Sequence, residues 1–175
     1  MDSHHTNTCK TVDWSVGDAP LDGPALVAAI GNFDGVHRGH AQVISAAIEA
    51  ARARGLGAAV VTFDPHPREF FRHDDAPFHL ADRQEKDRLI AALGVDRIIH
   101  VRFDDNLRCT DAESFVTSIL PALGVTALFA GSDFAFGRGR GGDIDTINEI
   151  GAGIGISATA VTLLSDPNSA IITSS

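Results

Sequence analysis

The chain has 175 residues, is 44% hydrophobic and carries a formal charge of −9. This balance fits one folded domain with an ordinary core and excludes a disordered or fibrous chain. The acidity speaks against nucleic acid as a partner. No apolar run reaches the roughly 20 residues that cross a bilayer, so no membrane is expected either.

Residues 1–20 open with "MDSHHTNTCKTVDW" and read as a polar N-terminal arm without the apolar core of a signal peptide. The two cysteines, Cys9 and Cys109, match no metal-ligand spacing and read as free thiols of a reducing cytoplasm. "PALVAAIG" (24–31) is a short apolar run with the pattern of a strand buried on both faces. "HAQVISAAIEAARARG" (40–55) repeats apolar residues every four positions and stops on Gly55, which predicts a helix. "GAAVVTF" (57–63) is a second buried strand. "DRQEKDRLIAALG" (82–94) predicts a helix opened by a capping box of Asp82 and Glu85. "DRIIHVRF" (96–103) is a third strand, and "TDAESFVTSIL" (110–120) a helix with Thr110 and Glu113 as its capping box. "VTALFAG" (125–131), "DIDTINEIG" (143–151) and "GISATAVTL" (155–163) add a strand, a short helix and a fifth strand. Five alternations predict an α/β fold, a Rossmann-like doubly wound parallel sheet of about five strands in one domain over 21–175.

The unusual segments share an address. "GNFDGVHRGH" (31–40), "FDPHPREFF" (63–71), "FDDNLRC" (103–109) and "GSDFAFGRGRGGD" (131–143) each follow a strand, whereas the loops at the opposite end are short and bland. Open parallel sheets bind ligands beyond the carboxyl ends of their strands, so these segments are expected to converge on one cleft. In the first segment, Gly31 and Gly35 allow a sharp turn, and the helix starting near Gly39 aims free N–H groups and its positive dipole end at the cleft. Asn32, Asp34, His37 and His40 surround that point, and two imidazoles there can hold a transferring phosphate. A metal site on His37 and His40 lacks a third ligand at a zinc-like spacing, so no metal is assigned by spacing. Two ordinary surface histidines are the plainer alternative. In "FDPHP", Pro65 and Pro67 stiffen the turn and aim His66, either as a wall beside a flat ligand or as a purely structural loop. In the last segment Arg138 and Arg140 stand among glycines, a local cationic patch able to cradle anions or simply a basic surface loop.

"GNFDGVHRGH" resembles the H-x-G-H signature of nucleotidyltransferases, and its longer pattern resembles the adenylyltransferase module of the bacterial bifunctional riboflavin kinase/FAD synthetase family. "VTFDPHP" and "GSDFAFGRGRGGD" resemble two further signatures of that family, in the same order. The resemblance implies a nucleotidyltransferase domain that transfers AMP from ATP to FMN, giving FAD and pyrophosphate, with Mg²⁺ accompanying ATP. It implies catalytic roles for His37 and His40 on the α- and β-phosphates. It places Gly31, Phe33, Gly39, Asp133, Phe134, Gly137 and Arg138 on the ATP side, and Asn32, Asp34, Pro65, His66 and Pro67 on the FMN side. The closing "AIITSS" looks like the start of a second phosphate signature, with Ser174 and Ser175 on ATP; the arginine that follows in the family, and its riboflavin kinase domain, are not in this sequence. The domain is therefore expected to be cut short at that signature, and riboflavin phosphorylation is not expected of it. Two other readings stay open here: a non-catalytic flavin- or nucleotide-binding module, and a nucleotidyltransferase acting on another phosphate ester.

Overall fold

The structure is a computed structural model, and it describes residues 9–33, 38–64, 80–132, 134–137 and 141–162, without the side chains of Arg38 and residues 80–82. Among the described residues six strands make one sheet: β1 (Lys10–Trp14), β2 (Leu26–Ile30), β3 (Gly57–Asp64), β4 (Arg97–Arg102), β5 (Val125–Gly131) and β6 (Ser157–Val161). Their order is β1-β4-β3-β2-β5-β6, and every pairing is parallel. The helices are α1 (Arg38–Arg54), α2 (Leu80–Ala92), α3 (Asp105–Arg108), α4 and α5 (Ile144–Gly151). α4 is one continuous stretch in three parts: Ala112–Ser114, a π-helical turn Phe115–Ile119, and Leu120–Leu123.

Alternate strand residues feed two cores, as the pleat requires. Val27, Ala29, Val60 and Ile98 meet Val43, Ile44, Ala47 and Ala51 of α1 on one face. Ala28, Ile30, Val61, Ile99 and Leu128 meet Phe115, Leu120, Leu123 and Ile147 of α4 and α5 on the other. Phe115, Val116 and Ile119 of the π-helical turn all reach this second core. Gly55, Gly94 and Gly124 follow α1, α2 and α4 with positive φ, which stops each helix and hands the chain to the next strand. At that end Asp96 Oδ2 accepts from the Ala58 amide at 2.8 Å and from Arg52 at 3.0 Å, tying α1 to β3 and β4.

Two expectations need correction. The arm expected over 1–20 contains β1, which pairs with β4 from Lys10↔Arg97 to Trp14↔Val101, so the sheet has six strands. Its pattern was too short to read as a strand, because only Trp14 of the five residues is buried. The N-cap of α4 is Asp111, whose carboxylate accepts from Ser114 N at 2.8 Å, while the Thr110 hydroxyl donates back to Asn106 O at 2.7 Å. The α2 capping pair cannot be followed, since the Asp82 side chain lies outside the described residues. The full capping box belongs instead to α5, between Asp143 and Thr146.

Both cysteines are free thiols, Cys109 exposed and Cys9 half-buried just ahead of β1. Burial, and then the carboxylates of Asp87 and Asp96, push the Cys9 thiol from 9.0 to about 11. A thiol that keeps its proton longer in the folded chain stabilises the fold fully below 9.0, and this contribution is lost as pH rises through about 11. Iodoacetamide at pH 8 is therefore expected to label Cys109 well before Cys9, whose rate keeps climbing toward pH 11. Peptide mass mapping of the labelled sites checks this, and equal labelling at pH 8 would contradict it.

Candidate active site

The chain builds outward from β2 through β3 to β4, then returns to the other side of β2 for β5 and β6. The loops after β2 and β5 therefore leave neighbouring strands in opposite directions, which opens a crevice at their carboxyl ends.

After β2 the ladder runs on for one residue, with Gly31 N donating to Val61 O at 3.1 Å. A Cβ on Gly31 would stand 3.2 Å from Phe33 Cζ, so the ring needs the glycine. Phe33 has φ +52°, the one positive value among described non-glycine residues. That conformation costs about 1–2 kcal/mol for an L-residue. Burial offsets it, since Phe33 is 4% exposed. His40, in the first turn of α1, meets this ring edge-on, with centroids 5.3 Å apart and planes at 86°. Gly39 beside it is buried.

The first turn of α1 carries no acidic residue. By contrast α3, α4 and α5 start on the carboxylates of Asp104, Asp111 and Asp143. At α5 the bonds from the Thr146 amide and hydroxyl hold the Asp143 carboxyl below its ordinary range. The first turn of the 17-residue α1 thus brings no negative charge of its own to that helix's positive end.

After β5, Phe134 N donates to Gly131 O at 3.0 Å and closes a turn. Phe134 stacks on Phe136 at 5.7 Å, and Phe136 leans on Phe115 of α4 at 4.8 Å. Phe136 and Gly142 pair as an antiparallel bridge, with N–H···O distances of 3.0 and 2.9 Å. Gly137 has φ +81°, and its Cβ would lie 3.0 Å from the Ala112 amide, so a side chain there would be both strained and crowded.

A polar group flanks the β2 loop. Lys86 of α2 donates to Asn32 O at 2.8 Å and to Thr62 Oγ1 at 3.1 Å, and Thr62 donates to the same carbonyl at 3.2 Å. One turn earlier Arg83 bonds Asp64 at 2.8 Å and also reaches Asp13, while Asp87 meets His100 at 2.9 Å. The Asn32 side-chain oxygen Oδ1 is buried with no hydrogen-bond partner among the described residues.

Gly31, Asn32, Phe33, Gly39 and His40 thus gather at the β2–α1 junction, and Phe134 and Gly137 follow the adjacent β5. Asp34, His37, Pro65, His66, Pro67, Asp133, Arg138, Ser174 and Ser175 lie outside the described residues. The reading of the sequence passed over Lys86 and Thr62. The available signal was a helical stripe, Arg83, Lys86, Asp87 and Ile90 at i, i+3, i+4 and i+7, on a helix followed by a buried strand.

Residues 21–175 match the family model described as FAD synthetase. The chain belongs to the FAD synthetase family. It is 40% identical over 147 residues to the bifunctional riboflavin kinase/FMN adenylyltransferase of Escherichia coli, covering 83% of this chain and 46% of that protein. It is 33% identical over 149 residues to the FAD synthetase of Listeria monocytogenes, covering 82% of this chain and 58% of that one. The chain thus spans about half the length of these curated relatives. Its fold is similar to a solved macrolide-efflux protein from Streptococcus pneumoniae, with a TM-score of 0.73 over 91% of this chain and 61% of that one. At 21% identity that likeness speaks to the fold alone. Both loop systems of the crevice fall inside the span matched to the FAD synthetase family. No described helix is long and apolar enough to cross a membrane.

Proposed function

We propose that this chain, through a nucleotidyltransferase domain over 21–175, is an FMN adenylyltransferase. It transfers AMP from ATP to FMN and yields FAD and pyrophosphate. A phosphate oxygen of FMN attacks the α-phosphorus of ATP, the bond from that phosphorus to the bridging oxygen breaks, and pyrophosphate leaves with the electron pair. The FMN phosphate is anionic near neutral pH, its second pKa being about 6, so no base is required. The demand is for alignment of two polyanions and for donors aimed at the charge that builds at phosphorus.

The observation that carries this reading is the start of α1 at the sheet's reversal, free of acid in its first turn, with His40 braced by Phe33. His40 and His37 donate to the α- and β-phosphates. Gly31, Phe33, Gly39, Phe134 and Gly137 shape the ATP side, joined by Asp133, Arg138, Ser174 and Ser175. Asn32 faces FMN with Asp34, Pro65, His66 and Pro67. A buried acceptor without a donor is costly unless a ligand completes it. The Oδ1 of Asn32 is such an acceptor, and a ribityl hydroxyl of FMN is such a donor. Mg²⁺ would arrive on the ATP phosphates, keeping several of its waters. When bound there, Mg²⁺ neutralises charge on the departing pyrophosphate. We place the reaction in the cytoplasm, a compartment that two free thiols suit.

The test is to incubate the chain with FMN, ATP and MgCl₂, separate flavins by chromatography and measure pyrophosphate. FAD and pyrophosphate are expected in equal amounts. Calorimetric binding of both substrates without either product would leave a binding module, and pyrophosphate release only with a different phosphate ester would change the acceptor.

A further inference from the structure

The contacts of Lys86 are not needed to hold α2 in place by apolar packing. One turn on, Ile90 does that fully buried. Drawing an ammonium toward the interior carries a desolvation cost that a hydrophobic side chain of similar size avoids. Here the ammonium ends on a backbone carbonyl, Asn32 O, and on the hydroxyl of the fully buried Thr62. Thr62 lies one residue past the last β2–β3 pair, Ile30↔Val61, so the triangle sits where the strands end and the β2 loop begins.

A carbonyl fixes more than itself. The peptide unit is planar, so fixing the Asn32 carbonyl also fixes the amide of Phe33. Phe33 is the residue at φ +52°, and its ring is the wall against His40. An uncommon backbone conformation persists only where the surroundings over-determine it. Two donors converging on the carbonyl just before Phe33 supply that determination.

On the basis of the proposed function, we propose that Lys86 is a positioning residue. It locks the Asn32–Phe33 peptide so that Phe33 holds the His40 imidazole toward the transferring phosphate. Lys86 touches neither substrate in this scheme and acts through Asn32 and Phe33.

The test compares Lys86→Met with Lys86→Arg, alone and in a His40→Ala background. Lys86→Met is expected to lower kcat roughly tenfold or more, with KM for ATP changed less than about threefold, since misplacement of a donor harms the transition state most. Lys86→Arg, which keeps a cationic donor, is expected to recover part of that loss. In the His40→Ala background Lys86→Met should cost less than about twofold further, because both changes remove one function. A structural role would multiply the two losses and would overturn the proposal. Independently of turnover, the His40 ring protons of the free protein feel the ring current of Phe33, and NMR should show them moving toward exposed-histidine positions in Lys86→Met. Unchanged His40 resonances would overturn the proposal even if the chain makes no FAD, whereas a shift with no FAD would count against the reaction alone. If Lys86→Met does not fold, Thr62→Val removes the hydroxyl donor from the same carbonyl and is read by the same resonances and the same cycle.

Discussion

Replacing His40 with alanine is expected to lower the rate of FAD formation by about 10²-fold or more, with a smaller change in ATP affinity. A factor of 10² is about 2.7 kcal/mol at the transition state. The edge-on contact with Phe33 is worth about 0.5–1.5 kcal/mol by comparison. Loss of that contact alone therefore accounts for no more than roughly a tenfold effect. The remainder must come from a donor aimed at charge that develops during transfer. Steady-state kinetics with ATP and FMN varied separately decide the matter. A fall in kcat with KM for ATP almost unchanged is the expected pattern. A mutant as fast as the parent removes His40 from the mechanism, and a tenfold loss with a lowered melting temperature reduces it to a brace for the loop.

Gly151→Ala is expected to be the most damaging of simple core-side changes to stability. A Cβ at this position would stand 2.2 Å from Ile156 O and 3.0 Å from its carbonyl carbon. Both are backbone atoms, so no rotamer change relieves the clash. The same glycine accepts from Ile154 N at 2.9 Å and Ile156 N at 3.0 Å, which turns the chain from α5 into β6. The start of β6 is held in turn by Asn148, which exchanges two hydrogen bonds with Ala158 at 2.8 and 2.9 Å. Relief must come from moving β6 against β5 or from unwinding the end of α5. Overpacking of this kind costs about 1–3 kcal/mol and often more when backbone must shift. At about 2–4 °C per kcal/mol for a chain this size, calorimetry should show melting lowered by roughly 6–12 °C for a loss near 3 kcal/mol. A melting temperature within a degree of the parent would show that this junction is loose.

The strands around β2 were legible because both faces are buried, so "LVAAI" and "AAVVT" read as unbroken apolar runs. The parallel sheet followed from the alternation of strands and helices, whereas the strand order, with its reversal at β2, did not. β1 was hidden because an edge strand needs little apolar sequence, and its five residues bury only Trp14. The π-helical turn of α4 left no mark that spacing alone reveals. The turn at Gly31 and the helix start by Gly39 and His40 were legible from turn chemistry and apolar spacing. The strained Phe33 was not, because a phenylalanine between Asn32 and Asp34 carries no sign of positive φ. Lys86 was missed for a different reason: a charged stripe on a helix ordinarily faces water, and here it faces the ends of three strands.

That stripe has a consequence for how the two helices on one face are held. α1 adheres mainly through alanine, valine and isoleucine, whereas α2 adds the polar contacts of Arg83 and Asp87 to the apolar anchor of Ile90. Counter-ions reach partly wetted charge pairs, with a screening distance of about 8 Å at physiological ionic strength, and they leave aliphatic contacts alone or tighten them. Raising the salt concentration therefore slackens the grip of α2 more than that of α1, so two neighbouring seams of one sheet answer to the solvent in different measure.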